Sequence, residues 1–281
     1  MKAFLSFILL LALCTGCEEV IDLKLDSQEQ QLVVDAALDW EKGKPGNEQK
    51  IHLSYTNDYY TNQPSETATG ATVLVSASGN ETYTFVDQGN GDYVCRDFKP
   101  EPDKNYRLTI DYKGKRYTSE DRMREVPELT ESNITQRSDG GFFKDEIALR
   151  LTFPTQTDGD NYFMIKVAYM KENNKKSRVY AVDDKFDSEG KISRSFTGSN
   201  IGGKFLKGDE VEITLYRVSK QYQLFMDLLI ANSLDDAQRG RPMFTSPVRV
   251  YGNVVYEPDP KQNPFGAFRV AQYSKIVYIV K

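Results

Sequence analysis

Residues 50–56 read KIHLSYT, and this stretch indicates the class of the fold. The apolar side chains Ile51, Leu53 and Tyr55 occupy every second position, and polar side chains lie between them. Successive side chains of a β-strand point to opposite faces of the sheet. The period of two therefore predicts a half-buried strand that places Tyr55 in the core.

Similar short segments, rich in β-branched and aromatic residues, recur outward from this strand in both directions. Turn residues such as those at 78–80, 88–92 and 113–115 separate them. Toward the C-terminus both faces of the last segment become apolar, which predicts a buried closing strand. The predicted strands cover residues 31–38, 50–56, 71–77, 82–86, 91–96, 105–112, 146–153, 161–170, 178–183, 191–197, 209–218, 246–251, 264–270 and 272–280.

The segment 121–133 interrupts this pattern, because it is charged, contains Pro127 and shows no alternation. We therefore expect an all-β chain of two domains. Regular short strands predict an immunoglobulin-like β-sandwich over residues 31–122, followed by a linker at 123–133. A second β-rich domain, sandwich-like or barrel-like, is expected over residues 134–281.

One amphipathic helix is predicted within the second domain, over residues 219–233. Ser219 is suited to cap its N-terminus. Apolar side chains then recur at the spacing of one helical face, at Tyr222, Phe225, Met226 and Leu229. We expect this face to pack against a sheet.

Composition excludes several classes of protein. The chain has 281 residues, of which 39% are hydrophobic and 27% charged, and this content is that of a globular chain. Its net charge of −5 disfavours nucleic-acid binding, which needs a basic surface. A single histidine excludes most zinc sites and catalytic triads, and the phosphate-binding glycine loops are absent. We expect no catalytic residues, no metal and no cofactor.

The N-terminus has the pattern of a lipoprotein signal peptide over residues 1–16. Lys2 precedes a mainly apolar run at 4–13, which is too short to span a membrane, and Gly16 then precedes Cys17. We expect Cys17 to be acylated and to become the new N-terminus. An ordinary secretory peptide cut after Gly16 is the alternative.

An acidic tether is expected to follow over residues 17–30. Its first residues, Glu18 and Glu19, resemble the signal that exports Bacteroidetes lipoproteins to the outer face of the outer membrane. A solvated acidic linker is the alternative interpretation, because charged runs are usually solvated.

The remaining candidate residues carry weaker signals. Cys95 lies in a strand-like run and is expected to be a buried apolar side chain rather than a nucleophile. The acidic cluster Asp183, Asp184 and Asp187 does not match a calcium loop, so a solvated hairpin is favoured and an irregular cation site stays open.

Tyr59 and Tyr60 lie in the polar loop 56–66 and are the candidates for ligand contact. Tyrosine suits a binding surface, because one end of its side chain is apolar and the other is polar. We expect a glycan or a peptide as the ligand of such a loop.

Several short motifs occur in an order that resembles a family of uncharacterised Bacteroidetes outer-membrane lipoproteins, known as domain of unknown function 4249. These motifs are LVVDA at 32–36, IHLSYT at 51–56, GATV at 70–73, GDY at 91–93, GNV at 252–254 and NPFGAF at 263–268. Members often have a glycine-rich C-terminal motif, whereas this chain has Pro264 and a single glycine, Gly266, there. The family has no established catalytic residues to carry over. The resemblance implies an immunoglobulin-like N-terminal sandwich, a second β-rich domain and association with a TonB-dependent transporter.

The sequence therefore predicts a non-catalytic outer-membrane lipoprotein, anchored by lipid and exposed at the cell surface. Its expected role is that of an accessory or ligand-capture component of a TonB-dependent transport system. A structural or adhesin-type surface lipoprotein is the first alternative. A hydrolase with dispersed carboxylates, such as Asp183 and Asp184, is the second.

Overall fold

The computed structural model describes residues 30–57, 63–155, 159, 161–171, 174–184, 190–233 and 250–281. About half of these residues form β-strands, and they also include the α-helix α1 (Lys220–Ala231). The fold class predicted from the alternation is confirmed. The strands are β1 (Leu32–Glu41), β2 (Gln49–Tyr55), β3 (Thr72–Ala77), β4 (Thr82–Asp87), β5 (Asp92–Cys95), β6 (Asn105–Tyr112), β7 (Lys115–Arg122), β8 (Ile134–Gly140), β9 (Glu146–Pro154), β10 (Tyr162–Lys171), β11 (Asn174–Asp183), β12 (Lys191–Thr197), β13 (Glu210–Arg217) and β14 (Phe265–Ile279).

The long strand β14 joins two sandwich-like units. Its first part pairs in parallel with β1, from Val33 opposite Phe265 to Glu41 opposite Tyr273. Its second part pairs antiparallel with β13, up to Ile279. The resulting sheet has the order β11-β10-β13-β14-β1-β2-β5-β4-β3-β6-β7, and β8, β9 and β12 form a second sheet.

The first core lies between β1, β2 and β5 on one side and β3, β4, β6 and β7 on the other. Alternate side chains of each strand are buried in it, among them Val34, Leu53 and Leu108. The C-terminal part of the chain contributes Phe268 and Val270 to the same core. This unit therefore needs the first half of β14 to complete it.

The second core lies between the three-stranded sheet and the strands β10, β11, β13 and the end of β14. Phe153 of β9 packs edge-to-face on Phe163 of β10, with ring centroids 5.0 Å apart. Val126 and Leu129 from the predicted linker are also buried in this core. The two cores lie on either side of the predicted boundary at 123–133, but β14 contributes to both. The division into two domains at this boundary therefore stays a prediction.

Two of the motifs that carry the family resemblance meet where β14 begins. Gly266 has φ of +86°, and a Cβ atom there would lie 2.1 Å from the carbonyl oxygen of Val34. The side-chain amide of Asn253 donates to the carbonyl of Phe268 at 2.7 Å and accepts from its N–H at 2.8 Å. The GNV segment thus lies against the NPFGAF segment and fixes the start of the parallel pairing.

The helix prediction is confirmed in type and position. Ser219 caps α1, because its Oγ accepts a hydrogen bond from the N–H of Tyr222 at 3.3 Å. The helix packs against the outer face of the large sheet through Tyr222, with Met164 and Ala271 beneath it. Leu224 lies on the opposite, solvent-facing side and is 48% exposed.

Several strand predictions need correction. The segments at 264–270 and 272–280 form the single strand β14, and its end is not buried on both faces, because Val277 and Ile279 are 51% and 58% exposed. No strand includes residues 250–251 of the predicted strand 246–251, and residues 246–249 lie outside the described part. The sequence prediction also omitted β7 and β8.

Candidate ligand-binding site

The hairpin between β6 and β7 forms one wall of the candidate site. The strands end at the facing pair Tyr112 and Lys115, so only Lys113 and Gly114 form the turn. Their φ angles are +48° and +75°, as a two-residue turn of the I′ type requires. The short turn places one lysine on either side of its glycine, directly beside the aromatic end of β6.

An open cleft of about 390 Å³ lies beside this hairpin, at one end of the first sandwich. This volume falls in the range of small-molecule sites. Tyr55 at the end of β2 comes from one side of the first core, and Tyr112 on β6 and Tyr117 on β7 come from the other side. The described residues that line it are Gln30, Gln31, Leu32, Tyr55, Glu66, Tyr112, Lys113, Lys115, Tyr117 and Gln262.

A hydrogen bond between two tyrosine hydroxyls joins the two sides of the cleft. The Oη atoms of Tyr55 and Tyr112 are 2.9 Å apart, and their ring centroids are separated by 6.4 Å. The pKa of Tyr112 is raised to about 12. Burial is the largest cause, and the hydrogen bond with Tyr55 is the second. Its hydroxyl is therefore neutral at physiological pH and available to donate or accept.

Two lysines supply positive charge to the cleft. Lys113 donates from Nζ to the Tyr55 hydroxyl at 2.6 Å and lies 4.9 Å from the centroid of that ring. The hydrogen bond to Tyr55 raises the pKa of Lys113, so this ammonium stays charged. Lys115 donates to Oε1 of Gln262 at 2.7 Å and lies 5.8 Å from the centroid of Tyr256.

The two residues that the sequence offers for nucleophilic chemistry, Cys95 and His52, do not line this cleft. Cys95 is buried as predicted, and burial raises the pKa of its thiol to about 11. His52 donates from Nδ1 to Oδ1 of Asp92 at 2.7 Å, and it lies on the face of the sheet opposite to the core that holds Cys95. Among the described residues, no three His, Cys, Asp or Glu side chains lie close enough together to hold a metal ion.

The candidates from the sequence relate to this cleft in different ways. Cys17, Glu18, Glu19, Tyr59 and Tyr60 lie outside the described residues, as does Asp187. The loop that carries Tyr59 and Tyr60 follows Tyr55 and precedes Glu66, and both of these flanking residues line the cleft.

The acidic cluster is partly described and is separate from the cleft. Asp184 accepts a hydrogen bond from the side-chain amide of Asn161 at 2.8 Å. The backbone carbonyl of Asp183 accepts one from Arg194 at 2.8 Å. These contacts place both residues at the end of β11 in the second unit.

Sequence reasoning missed the residues that form the cleft. Tyr55 is half-buried at the rim rather than enclosed in the core. The sequence pattern predicts a strand up to Tyr112 and a turn at 113–115, although DYKGKRY at 111–117 also places two tyrosines and two lysines close to Gly114. Aromatic residues flanking a lysine-bearing turn are the signal that could have identified the site.

The described part of the chain contains no α-helix with the length and hydropathy needed to span a bilayer. Comparison with curated proteins gives no match.

Among solved structures, a segment of two fibronectin type-III domains from chicken tenascin is similar at 11% identity, with coverage of 68% of this chain and 91% of that one and a TM-score of 0.21. A pullulanase from Anoxybacillus sp. LM18-11, crystallised with maltotriose, is similar at 8% identity over 67% of this chain, with a TM-score of 0.19. The match spans only 24% of the pullulanase chain. With TM-scores this low, the fold description rests on the strand pairing given above.

A family model matches residues 18–276, which is nearly the whole chain after the predicted signal peptide. The chain therefore belongs to the family described as Domain of unknown function (DUF4249).

Proposed function

We propose that this protein is a non-catalytic lipoprotein of the outer membrane, exposed at the cell surface, which captures a ligand for a TonB-dependent transporter. The observation that carries the proposal is the open cleft lined by Tyr55, Tyr112 and Tyr117 together with Lys113 and Lys115. Aromatic walls with a few polar groups of defined position are typical of binding sites for small polar molecules. The family resemblance of the sequence supports the link to a transporter, which is an argument by analogy.

The position of the cleft relative to the predicted anchor supports the same proposal. Gln30 and Gln31 line the cleft, and Gln30 follows Cys17 by 13 residues (30 minus 17). A chain of this length extends at most about 45 Å. A lipid on Cys17 would therefore hold the cleft close to the membrane surface, where a transporter would receive the ligand.

Co-purification from the outer membrane tests this function. The tagged full-length chain, recovered from detergent-solubilised outer membranes, is expected to bring down a β-barrel transporter that mass spectrometry identifies. Cys17→Ser is the control, since it removes the acylated side chain and is expected to release the protein from the membrane fraction. Protease treatment of intact cells is expected to degrade the wild-type protein if it is surface-exposed.

Two results would overturn the proposal. The first is recovery of the wild-type lipoprotein without any barrel protein. The second is a deletion strain that keeps normal uptake but loses attachment to surfaces, which would favour the adhesin alternative.

A further inference from the structure

We propose that the cleft beside the β6–β7 hairpin binds an acidic oligosaccharide, one whose sugars carry carboxylate or sulfate groups. This inference rests on the proposed function, because it names the class of ligand that the protein would capture. It is carried by the position of the two cleft lysines and by the polar groups placed around them.

Unlike other lysines in the described part of the protein, the two cleft lysines have no carboxylate within ion-pair distance, although the charge of Lys115 helps to lower the pKa of Asp259. Within the described residues, no carboxylate forms an ion pair with Lys113 or Lys115, and their ammonium groups instead donate to the neutral oxygens of Tyr55 and Gln262. By contrast, Lys104 and Lys281 contact glutamate oxygens at 2.7 Å and 2.6 Å. The cleft thus holds two positive charges that an anionic ligand would neutralise.

Two acidic residues that neighbour cleft residues along the chain are engaged in other contacts. Asp111 forms a two-bond pair with Arg116, at 2.7 Å for each bond. Asp259 accepts from the side chain of Gln262 at 2.8 Å and from the N–H of Lys261 at 3.0 Å. Among the described residues that line the cleft, Glu66 carries the carboxylate, and its side chain is exposed.

Both lysines are held in place before any ligand arrives. Lys113 lies over the rings of Tyr55 and Tyr112, at 4.9 Å and 5.2 Å from their centroids, and Lys115 lies over Tyr256. Cation–π contacts and hydrogen bonds to neutral acceptors fix an ammonium group without cancelling its charge. A ligand therefore loses less affinity to the ordering of these side chains.

The remaining lining favours a hydroxyl-rich ligand over a purely apolar one. Gln30 and Gln31 carry amide groups, which can donate and accept, and the tyrosine hydroxyls do the same. The tyrosine rings supply apolar walls between these groups. Sugar rings combine apolar C–H faces with many hydroxyl groups, so a saccharide that carries anionic groups matches each part of the lining.

The two lysines allow a sharp test, because the chain contains a matched control. Lys113 and Lys144 both lie in hairpin turns with positive φ, +48° and +57°, and both are exposed. Asparagine tolerates this backbone conformation, so Lys113→Asn and Lys144→Asn each remove one charge without straining the turn. Of Lys113 and Lys144, only Lys113 borders the cleft.

Binding is measured by calorimetry on the full-length protein in detergent. The probes are trigalacturonate, its methyl ester and a sulfated disaccharide of chondroitin, which separate carboxylate, neutral and sulfate ligands. At least one acidic probe is expected to bind, and the neutral methyl ester is expected to bind at least about tenfold more weakly, the effect of one lost charge-assisted hydrogen bond. The double variant Lys113→Asn, Lys115→Gln is expected to weaken acidic binding by about tenfold or more, and Lys144→Asn is expected to leave it unchanged.

The proposal is overturned if no acidic probe binds, if the methyl ester binds as tightly as the free acid, or if the double variant binds like the wild type. Circular dichroism of each variant shows whether it is folded. Co-purification with a transporter is expected to survive in the double variant. Loss of acidic binding with transporter association intact would thus separate this inference from the proposed function.

Discussion

Asp39 on β1 and Arg269 on β14 form a two-bond ion pair between residues 230 positions apart in the chain. The guanidinium nitrogens Nε and Nη2 donate to the two carboxylate oxygens at 2.8 Å and 2.5 Å. Arg269 also donates to the hydroxyl of Tyr222 on α1 and lies 5.3 Å from the ring centroid of Tyr216. This cluster joins the parallel pair β1–β14, the helix and β13, and it therefore connects the two sandwich-like units.

Replacement of Asp39 by Ala is expected to lower the free energy of unfolding by about 2–4 kcal/mol, because it leaves a buried guanidinium without its anion. The Arg269 side chain is only 12% exposed, so water can replace the lost partner only in part. Urea unfolding measures the change.

The control is Glu120→Ala, which breaks the exposed pair with Arg107, where the two side chains are 66% and 52% exposed. Its expected cost is below about 1 kcal/mol. Equal costs for the two variants would show that the Asp39 pair contributes no more than a surface pair.

Gly266→Ala is expected to destabilise the protein by more than about 3 kcal/mol, because the new Cβ would clash with backbone rather than with a movable side chain. The clash is with the Val34 carbonyl oxygen at 2.1 Å, at the start of the β1–β14 pairing. Gly89→Ala is the matched control, since Gly89 also has a positive φ, +80°, but nothing lies within 4 Å of its Cβ position.

The control is expected to cost about 1–2 kcal/mol, which is the penalty of the left-handed conformation alone. Thermal unfolding followed by circular dichroism compares the two variants. A similar loss in both would mean that the approach of Gly266 to Val34 does not matter.

Local pattern predicted most strands and the helix because each depends on residues close together in sequence. The strand β12 (Lys191–Thr197) and the cap at Ser219 are examples. The strands β7 and β8 were missed because their inward positions are partly polar: β7 buries Ser119 and Asp121, and β8 buries only Ile134. Such strands show no apolar alternation.

The parallel pairing of β1 with β14 could not be predicted, since no turn or spacing links residues 33–41 with residues 265–273. The candidate cleft likewise depends on residues far apart in the chain. It forms where Tyr55 at the end of β2 meets Tyr112 at the end of β6, and the period of two in KIHLSYT says only which face Tyr55 is on. Whether that face is enclosed or lies at a rim depends on the facing strands.

Asp121 is expected to make the protein less stable as the pH rises. Its carboxyl group is buried and accepts from the N–H groups of Val270 at 3.1 Å and Arg122 at 2.9 Å. Burial raises the pKa of Asp121 from 3.8 to about 6, so the folded state keeps a proton that the unfolded chain has released. The contribution of Asp121 to the free energy of unfolding therefore falls as the pH rises from about 4 to about 6, by an amount on the order of 2–3 kcal/mol.

The variant Asp121→Asn isolates this effect from the exposed carboxylates, which act in the opposite direction. Denaturant unfolding at pH 4.5 and pH 7.5 is the measurement. The stability of the variant relative to the wild type is expected to increase with pH over this interval. A difference that is the same at both pH values would exclude a raised pKa at Asp121.

The tip of the β8–β9 hairpin carries two adjacent phenylalanines that the rest of the described chain leaves in solvent. Phe142 and Phe143 are 93% and 81% exposed, and their rings contact only each other closely, edge-to-face with centroids 5.1 Å apart. The double variant Phe142→Ser, Phe143→Ser is expected to change the free energy of unfolding by less than about 0.5 kcal/mol, as for surface positions in general. It is expected to elute earlier from a hydrophobic-interaction column, because a large apolar surface has been removed.

Phe153→Ser is the contrasting variant: Phe153 is 1% exposed, and its replacement is expected to cost about 3–5 kcal/mol. A loss of stability in the double variant close to that of Phe153→Ser would show instead that the two exposed rings pack against the protein.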